Sequence, residues 1–114
     1  MAYDTDLADR VRHLVEAEVG VAEKRMFGGL AFLIDGNLAV TASSQGGLLL
    51  RIDPAETESL VAEPLVRRFV MRGREMDGWL HIDPGALASD DDLRRWVSHG
   101  VGYARALPAK RSTP

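Results

Sequence analysis

Four arginines, Arg67, Arg68, Arg72 and Arg74, fall within eight positions of the chain. Guanidinium groups at that density could bind an oxyanion, whether a phosphate, a nucleic acid or an acidic protein. Lys24 and Arg25 could join them. Glu75 and Asp77 follow closely, and that interleaving better fits the solvated face of a strand. Only Phe69 and Trp79 offer rings for base stacking nearby, so single-stranded nucleic acid fits poorly. The formal net charge of −3 also disfavours non-specific nucleic-acid binding, which depends on basic residues neutralising phosphates. Nucleic acid is therefore the alternative reading, and a protein partner is preferred. Asp4, Asp6, Asp9, Glu16 and Glu18 give the N-terminal stretch the opposite sign, which predicts an electrostatically two-sided molecule.

Other chemistry-bearing residues lack the spacing that a reaction requires. Gly28-Gly29 could bring backbone N–H groups to an anion. No Gly-Lys-Ser/Thr follows, however, and Leu30 continues into a strand pattern, so a turn or β-bulge is expected. His13, His81 and His99 are dispersed, with no His-x-x-x-His pair to place two ligands on one helical face. Ser43 and Ser44 stand in no nucleophile-elbow pattern. Asp90, Asp91 and Asp92 are accounted for by helix capping. With no cysteine there is no thiolate chemistry and no disulfide. The expectation is a non-enzyme with no catalytic residue, metal or cofactor. A small-molecule pocket near Phe27 and Trp79 is the third reading, after protein and nucleic-acid binding.

Trp96 and Tyr103 share the C-terminal helical stretch with Gly100 and Gly102. Each mid-helix glycine costs up to about 1 kcal/mol relative to alanine, so something is expected to pack closely there. The sheet is one such neighbour. A second copy of the chain is another, and a homodimer is the partner reading this pair supports.

These residues must be positioned by a small set of elements. Leu7, Val11, Leu14 and Val15 recur at helical spacing, predicting an amphipathic helix from Asp4 to about Val19 that stops at Gly20. Leu30, Phe32 and Ile34 alternate, Asp35-Gly36 supplies a tight turn, and Leu38, Val40 and Ala42 alternate again. Beyond Ser43–Gly47, Leu48, Leu50 and Ile52 form a third strand. Asp53-Pro54 caps a short helix to about Ala62. Val66–Met71 and Trp79–Ile82 read as two more strands, joined by a connection over Arg72–Gly78. Ser89 caps a final helix that Pro108 ends.

The predicted order is α-β-β-β-α-β-β-α, a two-layer α+β fold with helices packed on an antiparallel sheet. At 114 residues, 46% hydrophobic and 27% charged, the chain is expected to be one domain with an ordered core over about 4–107 and a flexible tail over 108–114. No apolar run approaches the ~20 residues that span a bilayer, and the N-terminus lacks a leader pattern, so a cytoplasmic location without membrane contact is expected.

Taken together, Arg25-Met26-Phe27-Gly28-Gly29, the Asp35-Gly36 hairpin, Leu48-Leu49-Leu50-Arg51, Gly78-Trp79-Leu80 and Leu93-Arg94-Arg95-Trp96 resemble the TfoX/Sxy family N-terminal domain over roughly Asp4–Leu107. Met26-Phe27-Gly28-Gly29 just after the first helix is the most specific element. The resemblance implies a secretion-chaperone-like fold and a part in regulating natural competence. There the full-length regulator assists a cyclic-AMP-responsive transcription activator. That role belongs to proteins with a second, C-terminal domain, and this chain is expected to be a stand-alone N-terminal domain.

Overall fold

A computed structural model describes residues 3–26 and 28–108. Helix α1 (Thr5–Val15) leads into strands β1 (Val21–Met26), β2 (Gly29–Ile34), β3 (Asn37–Ala42) and β4 (Leu48–Arg51). A 3₁₀ turn at Pro54–Glu56 runs into helix α2 (Thr57–Val61). Strands β5 (Val66–Met71) and β6 (Arg74–Ile82) follow, then a second 3₁₀ turn at Pro84–Leu87 and helix α3 (Asp90–Ala106). All six strands form one antiparallel sheet in the order β1-β2-β3-β4-β6-β5. The two-layer α+β architecture is the expected one, with strand β1 added before the predicted meander.

One cross-strand row shows why all three helices lie on the same side. Glu23, Phe32, Val40, Leu50, Leu80 and Arg68 are register partners across the whole sheet. Glu23 accepts from Arg12 of α1 at 2.6 Å, Leu50 meets α3 at Gly100, and Arg68 reaches Glu58 of α2 at 3.3 Å. The row between those ends is apolar and buried, and it packs with Leu7, Val11 and Val15 of α1 and Leu93, Trp96 and Val97 of α3. Burying each such side chain contributes roughly 1.5–3 kcal/mol, which is what holds the two layers together. Among the described residues no helix is long and apolar enough to cross a membrane.

Local chemistry fixes the boundaries. Asp53 accepts from the backbone N–H of Ala55 and Ser89 from that of Asp92, so both expected caps are in place, and Asp4 adds a third by accepting from Asp6 and Leu7. Asp35 and Gly36 both have positive φ, 51° and 83°, the pattern of a type I′ hairpin turn.

Two expected boundaries move. Helix α1 ends at Val15 rather than near Val19, because the chain must turn at Gly20 to meet the β2–β3 hairpin. The Gly20 carbonyl accepts from Asp35 N–H at 3.0 Å, and a side chain at Gly20 would collide with the Asp35 carboxylate. The expected connection over Arg72–Gly78 shrinks to Arg72-Gly73, and Arg74–Gly78 belongs to β6. The expected tail beyond Pro108 lies outside the described residues. The Pro108 carbonyl itself accepts from Asn37 Nδ2 at 2.9 Å.

Candidate interaction surfaces

The arginine segment divides along the pleat of β5. Arg67 points to the side away from the helices, at the end of a second row formed by Lys24, Ala31, Thr41, Leu49, His81 and Arg67. Arg68 points to the helix side, where its guanidinium bonds Asp77 at 2.8 Å and Glu58 at 3.3 Å. Those contacts raise its pKa further above the ordinary arginine value, chiefly through the hydrogen bond to Asp77. Arg68 is therefore a brace between β5, β6 and α2. Arg72 and Arg74 flank Gly73 at the tip of the β5–β6 hairpin and are exposed. Among the described residues no carboxylate lies within ion-pair distance of Arg67, Arg72 or Arg74. The four sequence neighbours thus form no single patch.

Other arginines also join elements. Arg12 reaches Glu23 of β1, Arg105 reaches Glu18 and Asp35, Arg10 reaches Asp90, and Arg95 forms a two-pronged pair with Glu63. The Arg12 and Arg95 hydrogen bonds hold the Glu23 and Glu63 carboxyls below the usual carboxylate range. Such exposed pairs are worth about 0–1 kcal/mol each, so they orient elements more than they stabilise them.

In the second row the middle four residues, Ala31, Thr41, Leu49 and His81, are buried. The β3–β4 loop closes over one end. His81 Nε2 lies 2.8 Å from the Gly46 carbonyl, so that nitrogen carries the proton and donates. Burial pushes the His81 pKa down, and Arg67 beside it acts in the same direction. Thr41 Oγ1 is fully buried with no hydrogen-bond partner among the described residues. The three histidines do not converge, and among the described residues no three His, Asp or Glu side chains gather as a metal site.

On α3 the two expected aromatic residues separate. Trp96 is 2% exposed and packs in the core, with the Arg95 guanidinium 4.4 Å from its ring, so burial removes it from the candidate surface. Tyr103 is half-buried at the surface. The Arg51 guanidinium lies 5.7 Å from its ring and 5.4 Å from that of Trp79. Gly100 is pressed against the sheet, where an added Cβ would stand 2.4 Å from the Ala39 carbonyl oxygen. Gly102 is different, because a Cβ there would meet nothing within 4 Å.

Gly102 lies in a trough between α1 and α3. One hollow of about 410 Å³ is lined by Asp9, Arg10, His13, Leu14, Asp90, Leu93 and Arg94. A second of about 330 Å³ is lined by Leu14, Val15, Glu18, Arg94, Val97, Ser98, Val101 and Gly102. Leu14 and Arg94 border both, so the two are continuous along the seam.

A family model for the TfoX N-terminal domain matches residues 13–104, most of the chain. The chain belongs to that family. No curated protein and no solved structure matches it.

In this TfoX N-terminal domain the segment Arg25-Met26-Phe27-Gly28-Gly29 spans the end of β1, a two-residue connection and the start of β2. Phe27 lies outside the described residues. Gly28 has φ of 75°, and a Cβ at Gly29 would stand 2.1 Å from the Ala42 carbonyl oxygen. Both glycines are therefore demanded by backbone geometry, one by the turn and one by the approach of β3. Arg25 is exposed on the sheet edge and Met26 is partly buried. The seam and the Arg51–Trp79–Tyr103 stack are absent from the sequence reading. Gly102 was the available signal for the seam. Nothing in the spacing of Arg51, Trp79 and Tyr103 announces that they meet.

Proposed function

We propose that this TfoX N-terminal domain is a non-enzymatic, cytoplasmic regulatory domain that acts by holding a protein partner in the trough between α1 and α3. In the competence-regulator setting of its family, it contributes to transcription regulation by docking rather than by reacting. Self-association of two chains through the same seam is the simplest form of that docking.

The observation that carries this reading is Gly102. A glycine in an exposed helix interior weakens the helix by about 1 kcal/mol, and here nothing among the described residues occupies the space it leaves. A close-packed neighbour from another molecule supplies the reason. The trough floor is apolar, from Leu14, Leu93, Val97 and Val101. Its rim carries both signs, through Arg10, Asp90, Glu18 and Arg94, an arrangement suited to an amphipathic helix with charged flanks.

The test is Gly102→Gln, which fills the trough without touching the core. Sedimentation across a concentration series reads self-association, and capture from the native host reads other partners. Association should be lost while circular dichroism is unchanged. A folded Gly102→Gln protein that self-associates and captures partners as wild type does would refute the seam.

A further inference from the structure

The β5–β6 hairpin outruns the sheet that anchors it. Strand β4 pairs with β6 only from Trp79 to Ile82, and Ile52 N–H adds one bond to the Gly78 carbonyl at 2.9 Å. Ahead of Gly78, residues Arg74–Met76 pair with β5 alone, beyond a register shift between Arg68 and Phe69. At about 3.3 Å per residue, this two-stranded ribbon projects roughly 10 Å beyond the sheet. A projection of that length lets the arginine side chains at its tip, rather than the whole ribbon, reach a nucleic-acid groove, which is about 7.5–8.5 Å deep.

One face of the ribbon carries the cross-strand pairs Phe69–Met76 and Met71–Arg74. Its three apolar side chains are partly buried. The other face carries Val70, 51% exposed, opposite Glu75. Asp77 is engaged by Arg68, so Glu75 is the ribbon's remaining carboxylate against Arg72 and Arg74 at the tip.

The turn itself points to a use for charge. Arg72 and Gly73 have φ of 54° and 77°, again the type I′ pattern. The β2–β3 hairpin makes the same turn with Asp35-Gly36. Asp and Asn tolerate positive φ, whereas a long side chain such as arginine is disfavoured there. The ribbon tip therefore keeps an arginine where backbone geometry alone would select Asn or Asp.

From these features we infer that the β5–β6 ribbon is a contact element for duplex DNA, with Arg72 and Arg74 on phosphates or inside a narrow minor groove and the Met71–Phe69–Met76 face against the sugar edge. Charge complementarity selects the occupant. The tip presents two guanidinium groups that pair with no carboxylate among the described residues, beside apolar side chains, the combination that minor-groove-binding proteins use. The negative chain as a whole keeps such binding weak and confined to the ribbon, as suits a domain held near DNA by a protein partner.

The experiment is fluorescence anisotropy of a short A·T-rich duplex titrated with the full chain at several salt concentrations. Wild-type affinity should fall linearly on a log–log plot. The double variant Arg72→Asn with Arg74→Gln keeps the turn. It should bind about 10-fold more weakly at low salt and lower the slope by about two, one for each phosphate contact removed. Lys24→Ala, at an exposed position of β1 on the opposite edge of the sheet, should bind as wild type. Gly102→Gln should also bind as wild type, which separates the ribbon from the α1–α3 seam. Absence of duplex binding at low salt, an unchanged slope in the double variant, or equal competition by an acidic peptide would each overturn the inference.

Discussion

Gly100 and Gly102 stand two residues apart on one helix, and their replacement by alanine should move stability in opposite directions. At Gly102 the added methyl group enters open space. The only consequence is the better helix propensity of alanine, about 1 kcal/mol of stabilisation. In a chain of this size that corresponds to a rise in Tm of about 3–6 °C. At Gly100 the same propensity gain meets the Ala39 carbonyl oxygen at 2.4 Å and Leu50 Cδ1 at 2.9 Å. Ordinary contact lies near 3.5 Å, so α3 must lift by about 1 Å from a close-packed core. Overpacking of that kind costs up to about 3 kcal/mol, leaving a net loss of about 2 kcal/mol. Urea unfolding followed by circular dichroism measures both, and equal m-values confirm that only stability has changed. The reasoning about α3 fails if Gly102→Ala is destabilised as an isolated, monomeric chain, or if Gly100→Ala is as stable as wild type.

Two further outcomes concern the helix-free face of the sheet. Thr41→Val replaces a buried hydroxyl without a partner by a methyl group of similar shape, and it should stabilise the fold by about 1 kcal/mol in the same unfolding assay. His81 should give the domain an acid-sensitive stability. Its folded pKa lies below the ordinary 6.5, with burial as the main cause, so the unfolded chain binds the extra proton first. The His81 contribution is therefore complete above about pH 6.5 and is lost as pH falls from there through the folded pKa. Unfolding midpoints between pH 7 and pH 5 should decline for wild type and flatten in His81→Gln, which retains a donor for the Gly46 carbonyl. Parallel declines in the two proteins would remove His81 as the cause.

Much of this architecture is written in short-range chemistry. Asp35-Gly36 specifies its turn, and Asp4, Asp53 and Ser89 specify helix starts, because each acts on backbone groups within three residues. The features that were not legible depend on distant neighbours. Strand β1 reads Val-Ala-Glu-Lys-Arg-Met, with four exposed residues in succession, and lacks the alternation of a half-buried strand. It lies at the sheet edge, where charged side chains are favoured because they discourage pairing with other chains. Arg74–Met76 looks like part of a polar loop and becomes strand only because β5 is there to pair with it. The end of α1 is set by Asp35, fifteen residues beyond Gly20. Pleat alternation and Asp77 divide Arg67 from Arg68, and no composition count could reveal that.

The same division separates the charges that build this domain from those left to meet another molecule. Arg10, Arg12, Arg68, Arg95 and Arg105 each reach a carboxylate on a different secondary-structure element or turn, and Arg12 also reaches one within its own helix. Removing any one should change stability little, because exposed pairs are screened by water and salt. Arg72 and Arg74 have no such role in the described residues, and Arg72 sits in a backbone conformation that its side chain disfavours. A residue that contributes nothing to the fold and strains its own turn is explained by something outside the fold. Gly102 follows the same logic on the opposite side of the chemistry, as a missing side chain instead of an unpaired one. The two features lie on different elements, the projecting ribbon and the α1–α3 seam, so one surface can hold a protein while the other meets DNA.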